Sequence, residues 1–176
     1  SILSVVDHGL TKGVILIPTH KTVTAEETAQ LILDNVHKRF GLPDKIISDR
    51  GPQFAANFFR ELFAKLGVKS NLTSAFHPQA DGSTERFNQE IEAYISIYCT
   101  LNPETWKGKL ATLEFSHNSR RHADRTSTPF ELMMGYAPRG IPITFHSSKF
   151  PSVQSRIETL KKDREEARAA HELSRV

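Results

Sequence analysis

Two apolar segments, both rich in Val and Ile, open the chain. They cover residues 1–7 and 13–19, with a short polar stretch between them. Strand-forming residues on either side of a polar turn are typical of an antiparallel strand pair. Thr24 and Glu27 then form a capping-box pattern, in which each side chain can bond the other residue's backbone N–H. This pattern predicts a helix that runs to about Phe40.

Further along, short apolar segments alternate with amphipathic ones. The pattern predicts strands at 45–49 and 68–72 and helices at 57–66, 85–99 and about 104–120. We expect the strand at 45–49 to be buried. The apolar side of the helix at 57–66 consists of Phe58, Phe59, Leu62, Phe63 and Leu66. Strands that alternate with helices indicate an α/β domain with a mixed sheet flanked by helices.

The C-terminal part of the chain is more polar. A helical turn is predicted at 129–134, and it ends at Gly135, because glycine suits the position after a helix. The stretch at 141–150 is predicted to be a linker that follows a domain at 1–140. Residues 151–176 predict an extended, charged helix. Their sequence fits an exposed connecting helix, and a short coiled-coil or docking helix is also compatible.

Composition narrows the class of protein. Hydrophobic residues make up 38% of the chain and charged residues 24%, which is ordinary for a globular protein. No apolar run approaches the roughly 18–20 residues needed to cross a bilayer. The single cysteine, Cys99, excludes a disulfide framework and a cysteine-based zinc site within these residues. The chain does not open on a signal-peptide pattern, so an intracellular location is expected. The net charge of +3 permits nucleic-acid binding without requiring it.

Asp49 and Glu85 are the strongest candidates for chemistry. Asp49 ends a predicted strand just before Gly-Pro, and Glu85 opens a predicted helix after a polar loop. Two carboxylates placed at the end of a strand and at the start of a helix can converge on a divalent metal ion. Two such ions can hold the attacking and leaving oxygens of a phosphodiester. Spacing alone is weak, because an Asp in a turn and a Glu in the first turn of a helix are both common for structural reasons.

The flanking residues make the pair specific. Asp49 lies within SDRGPQF at residues 48–54, and Glu85 lies within HPQADGSTERFN at residues 77–88. With SVVD at 4–7 and TPFEL at 128–132, these motifs resemble the integrase core of gypsy-type long-terminal-repeat retrotransposons, which is related to retroviral integrases. The resemblance covers about residues 1–140, and it implies an RNase H-like fold.

The resemblance also implies an activity. Asp49 and Glu85 would be catalytic metal ligands for Mg²⁺ or Mn²⁺, and the full-length protein would be a polynucleotidyl transferase that processes 3′ ends and joins element DNA to target DNA. The family's first catalytic Asp aligns upstream of this chain, so the core would lack its first strand and be inactive alone. By that alignment Asp7 would be a structural residue and not a ligand. The alternative is a domesticated or decayed core that serves as a non-catalytic DNA- or protein-binding scaffold.

The expected DNA contacts fall in two regions. The loop before Glu85 and the helix that follows it supply polar side chains that can donate to phosphate or base edges: His77, Gln79, Ser83 and Asn88. Arg120 and Arg121 belong to the best basic cluster, which covers residues 118–122 together with Arg125, although a solvated helix end would look the same. The implied partners are element and target DNA and further copies in a dimer or higher oligomer, with no membrane. The implied location is the virus-like particle and the host nucleus.

Overall fold

The computed structural model describes residues 1–72, 89, 91–92, 106–121 and 125–173, with side chains up to residue 169. These residues fall into two compact units. The first contains Ser1–Leu3 and the described part of Ile17–Gly82. The second contains Ser4–Leu16 and the described part of Ser83–Val176.

The chain begins with a strand pair, as the apolar pattern predicts. Strand β1 covers Ile2–Val6, strand β2 covers Val14–Pro18, and the two form a sheet. The Asp7 N–H donates to the Gly13 carbonyl at 2.9 Å, and the Thr19 N–H donates to the Ser1 carbonyl at 2.9 Å. This pairing of opposite ends makes the two strands antiparallel.

The predicted first helix is present and contains a wide turn. Helix α1 covers Ala25–Ile32, a π-helical turn covers Leu33–His37, and helix α2 covers Lys38–Phe40. Thr24 and Glu27 form both bonds of the capping box, at 3.2 and 2.8 Å. Their spacing therefore determines where the helix begins.

The second strand pair runs parallel. Strand β3 covers Lys45–Ser48 and pairs with strand β4, Lys69–Leu72, so that Ile46 lies opposite Ser70. Two helices connect the strands: the short α3, Pro52–Ala55, which the sequence pattern did not predict, and α4, Asn57–Lys65. Strand β3 is exposed at its first residue and partly buried along the rest, so the expectation of a buried strand was wrong for the described residues.

The core of the first unit lies between α1, α4 and the start of β4. Its buried members are Ala29, Ile32, Phe59, Phe63 and Val68. The Phe59 and Phe63 rings are 4.5 Å apart between centroids, and both side chains are fully buried. Phe58 and Leu66 were expected on the same side but are 46% and 38% exposed. The apolar stripe of α4 is therefore narrower than its sequence indicates.

In the second unit, helix α5 covers Trp106–Asn118 and helix α6 covers Pro129–Met134. Leu110 and Leu113 are the buried apolar residues of α5. Thr128 and Glu131 form a second capping box, and Gly135 ends α6 with a φ of 78°. Glycine adopts this left-handed conformation without steric cost, as its position after the helix predicts.

Helix α7 covers Pro151–Leu173 and packs against α5. Lys109 of α5 pairs with Asp163 at 3.5 Å and with Glu166, and all three side chains are at most 14% exposed. Ala167 is 1% exposed. Helix α7 therefore packs on α5 within the second unit. The stretch predicted as a linker also bonds to α7, because the Arg164 guanidinium donates to the Pro142 carbonyl at 2.6 Å.

Small antiparallel and parallel sheets flanked by helices, together with the C-terminal helix, confirm the α/β class. Most of the helix predicted at 85–99 lies outside the described residues, but Gln89, Ile91 and Glu92 are helical. In the ranges that the structure covers, no helix is both long and apolar enough to cross a membrane.

Candidate active site

Asp49 lies directly after β3, at the turn into α3. Its side chain is exposed, and its Oδ1 accepts the Gly51 backbone N–H at 2.9 Å. This bond to a residue two positions later is the turn that Asp and Asn side chains favour. Among the described residues it is the only hydrogen bond of this carboxylate, so Oδ2 is available to a ligand.

Gly51 permits close packing at this turn. A Cβ atom at Gly51 would lie 3.0 Å from Asp49 Oδ1 and 2.7 Å from Gln53 Nε2. Pro52 follows as the first residue of α3, a position that does not need an N–H. The Asp-x-Gly-Pro sequence thus sets both the turn and the direction of the carboxylate.

The chemistry of this carboxylate fits a hard divalent cation. Mg²⁺ prefers oxygen ligands, often one or two carboxylates, and keeps several waters. Asp49 offers one oxygen that the backbone holds and one that bonds nothing in the described part of the chain. In the part of the chain that the structure describes, no three His, Cys, Asp or Glu side chains form a metal-binding group. A metal held here would therefore need ligands beyond this set, such as water, substrate oxygens or Glu85.

Asp7 has a different environment. Its Oδ1 accepts the Gly9 N–H at 2.9 Å, and its Oδ2 accepts the Thr11 N–H at 2.8 Å and the Thr11 hydroxyl at 2.6 Å. Burial raises the pKa of this carboxyl, but the Thr11 and Gly9 hydrogen bonds and the Lys12 charge outweigh it and lower the pKa below 3.8. Both oxygens therefore hold the turn between β1 and β2, and binding a metal would compete with these bonds.

The arginines of the basic cluster at the end of α5 differ in exposure and in their partners. Arg121 is exposed, and its charge helps to lower the pKa of Glu131, after the larger effect of the Thr128 backbone and side-chain hydrogen bonds. Arg120 is partly buried and takes part in a further interaction. Arg125 donates to the Leu10 carbonyl in the β1–β2 turn. Arg121 is therefore the member best placed to meet an external phosphate.

Asn118, which the sequence placed in the same cluster, bonds to strand β2. Its Oδ1 accepts the Val14 N–H and its Nδ2 donates to the Val14 carbonyl, each at 2.9 Å. Glu114, one helical turn earlier, accepts the Leu16 N–H at 2.8 Å. The two side chains are four residues apart on a helix and bond residues two apart on a strand. Sequence reasoning missed this role, although the i,i+4 spacing of two polar residues was visible.

Comparison with other proteins finds relatives among retrotransposon polyproteins. The Tf2-3 and Tf2-4 transposon polyproteins of Schizosaccharomyces pombe are each 31% identical to the chain over 158 residues, or 90% of its length. The chain is homologous to a segment of these retrotransposon polyproteins. It spans only 12% of each relative. No protein-family profile matches it.

Solved structures show the fold of this chain. The HTLV-2 integrase catalytic core domain, solved in complex with magnesium, superposes with a TM-score of 0.56 at 17% identity, covering 76% of the chain and 92% of that core. The BIV integrase catalytic core gives 0.54 at 22% identity, covering 76% and 91%. The simian T-cell lymphotropic virus intasome, in complex with PP2A regulatory subunit B56 gamma, gives 0.60 at 19% identity, covering 84% and 58%. The RNase H-like integrase-core fold is thus confirmed, and the relatives do not distinguish the gypsy type.

Most of the predicted site lies outside the described residues. These members are Glu85 and the DNA-binding candidates His77, Gln79, Ser83 and Asn88. Their convergence with Asp49 stays a prediction. Gln53, whose Nε2 lies 2.7 Å from the point where a Gly51 Cβ would stand, was missed, although its place within the SDRGPQF motif was a signal for it.

Proposed function

We propose that the protein containing this chain is an integrase that processes the 3′ ends of retrotransposon DNA and joins them to target DNA. Homology to the Tf2 polyproteins supports an integrase role, because the chain also folds like integrase catalytic cores. The observation that carries the chemical assignment is Asp49. It is an exposed carboxylate at the end of β3, with one oxygen fixed by Gly51 and the other without a hydrogen bond to any described residue.

In this proposal Asp49 and Glu85 hold Mg²⁺ or Mn²⁺. When bound, the metal stabilises charge on the phosphodiester and activates the attacking water or 3′-hydroxyl. The Gly51 N–H keeps the Asp49 carboxylate in one orientation, which limits the reorganisation needed on binding. Magnesium in the HTLV-2 structure supports this choice of cation for the fold.

Arg121 supplies the DNA-facing charge on the described surface, with Arg120 beside it. A guanidinium can pair with a phosphate through two parallel hydrogen bonds. His77, Gln79, Ser83 and Asn88 contribute polar contacts to the same substrate. Element ends and target DNA are the proposed partners, together with further copies of the protein. The dimeric and trimeric forms of the HTLV-2 core support oligomer formation. The proposed location is the virus-like particle and the nucleus.

The test is a strand-transfer and 3′-processing assay on the full-length protein. Asp49→Asn and Glu85→Gln remove metal-binding charge with little change in shape, so we expect both activities to fall by about 100-fold or more. Asp44→Asn is the matched control, because Asp44 is an exposed carboxylate before β3. Its bond among the described residues is made by its backbone carbonyl, which accepts the Lys69 N–H at 3.0 Å. Activity of Asp49→Asn equal to that of the control would refute the assignment and favour a non-catalytic scaffold.

A further inference from the structure

Strand β4 has one edge that no described strand covers, since its partner in the parallel sheet is β3. The Lys69 N–H donates to the Asp44 carbonyl at 3.0 Å, so Lys69 and Asn71 direct their backbone groups toward β3. Ser70, between them, directs its backbone groups to the opposite edge. The Asn71 amide, in the orientation that satisfies both of its polar atoms, approaches the Ser70 carbonyl at 3.3 Å. The Ser70 N–H has no hydrogen-bond partner among the described residues, and it is the group open to another strand.

A groove of about 810 Å³ follows this edge, with helix α4 as its other wall. The described residues that line it are Asn57, Arg60, Glu61 and Ala64 of α4 and residues 67–71. A cavity over one face of the sheet would touch alternate residues of a strand, whereas this one touches consecutive residues of β4. None of its described lining residues belongs to β3. The groove therefore runs along the edge of β4 that points away from β3.

The walls of the groove leave space for a polypeptide backbone. The four α4 residues are spaced as one face of a helix. Ala64 and Gly67 are small, and a Cβ atom at Gly67 would meet nothing within 4 Å. The Ser70 hydroxyl, at the strand wall, makes no hydrogen bond within the described part of the chain. A strand edge beside a helix face is an arrangement that binds extended peptides, through main-chain hydrogen bonds to the edge and side chains in the groove.

The charges along the groove favour an acidic occupant. Arg60 and Lys69 outnumber Glu61, and all three residues are exposed. A peptide with an acidic side chain is therefore attracted, although each exposed charge contributes little. A second copy of this chain, paired edge to edge through β4, would bring its own Arg60 and Lys69 close to the same two cations. Like charges across a strand pair are destabilising, so the charges oppose that contact.

We propose that the groove between α4 and β4 binds an extended, acidic peptide of a separate protein, which adds to the sheet as a strand beside β4. A carbonyl of the peptide accepts the Ser70 N–H, and its acidic side chain lies near Arg60 and Lys69. This interaction surface goes beyond the proposed function. It uses neither Asp49 nor a metal ion, so the two proposals fail or stand separately.

The test is a fluorescence-anisotropy titration of the full-length protein with three fluorescein-labelled octapeptides. Each alternates valine and threonine, with a central residue that is glutamate, glutamine or lysine. We expect saturable binding that weakens in that order. Ser70→Pro removes the outward N–H but keeps the Lys69 bond to Asp44, and edge strands tolerate proline at such positions. It should weaken binding by about 10-fold. Ser70→Ala is the matched control, because it keeps the N–H and should bind as wild type does.

A second pair of variants tests the charge. Arg60→Gln should weaken binding of the glutamate peptide by about 3-fold and leave the glutamine peptide unchanged. Lys65→Gln is its control, because Lys65 is exposed and is not among the described lining residues. Thermal unfolding verifies that each variant is folded. If Ser70→Pro unfolds, Ala64→Gln replaces it, since the longer side chain narrows the groove from an exposed helix position, and Ala111→Gln on α5 is then the control.

Several results would overturn the inference while the role of Asp49 stands. They are the absence of saturable binding, equal weakening by Ser70→Pro and Ser70→Ala, equal effects of Ala64→Gln and Ala111→Gln, and equal affinity for the glutamate and lysine peptides. Sedimentation velocity examines the remaining occupant. A wild-type dimer that dissociates in Ser70→Pro would assign this edge to a second copy of the chain and would also overturn the inference.

Discussion

Asn118→Ala should be among the most damaging single substitutions in the second unit. Asn118 is 2% exposed and satisfies both the N–H and the carbonyl of Val14, which is also 2% exposed. Removing the side chain leaves two buried backbone groups without a partner. Each such group costs about 1–3 kcal/mol, so we expect a loss of about 3 kcal/mol in the free energy of unfolding. For a chain of this length, that corresponds to a fall of about 10 °C in melting temperature.

Urea denaturation of both proteins, followed by circular dichroism, measures this loss directly. Asn57→Ala is the control, because Asn57 is an exposed Asn at the start of α4 and should change stability by less than about 0.5 kcal/mol. Asn118→Asp keeps an acceptor for the Val14 N–H but places a charge in a buried position, so it should not restore stability. A loss below about 1 kcal/mol for Asn118→Ala would mean that water or relaxation replaces both bonds, and the reasoning would fail.

Three further predictions concern charge. The lowered pKa of Asp7 stabilises the fold at pH values above 3.8, and this contribution disappears as the pH falls through the lowered pKa. The difference in unfolding free energy between wild type and Asp7→Asn, measured by urea titrations at several pH values, should therefore close in acid. Lys109→Met removes the buried cation from Asp163 and Glu166 and should lower the free energy of unfolding by about 3 kcal/mol in the same denaturation measurement. Lys65→Met, at an exposed lysine, should leave it unchanged, and equal effects of the two substitutions would contradict the ion-pair account. Arg121→Ala in the full-length protein should reduce the steepness of log K against log salt by about 0.9 in a DNA anisotropy titration. Arg156→Ala, at another exposed arginine, is the control, and an unchanged slope for Arg121→Ala would contradict the prediction.

Local chemistry explains what the sequence predicted well. Helices α1 and α6 begin directly after Thr24 and Thr128, because a threonine and a glutamate three residues later bond each other's backbone. Gly135 ends its helix for a similarly local reason, its access to positive φ. The position of Asp49 at the end of β3 follows from the same kind of short-range reasoning.

Features that depend on distant partners were not predicted. The burial of Phe59 but not Phe58 is determined by which face of α4 meets α1, and the periodicity of α4 alone does not specify it. The packing of α7 uses Asp163, Glu166 and a small Ala167 in place of an apolar stripe, so its composition resembles that of an exposed helix. The site was predicted in part: Asp49 was found, and its neighbour Gln53 was not, because the folding back of an amide over a glycine leaves no periodic signal.

The bonds from α5 to β2 restrict how copies of this protein can assemble. Strand β2 pairs with β1 along one edge, and along the other Asn118 bonds both backbone groups of Val14 while Glu114 accepts the Leu16 N–H. A strand with both edges engaged has no free N–H groups along this stretch to recruit a strand from another molecule. A second molecule therefore cannot extend the sheet by adding a strand to β2, and an oligomer must form through other surfaces of the protein.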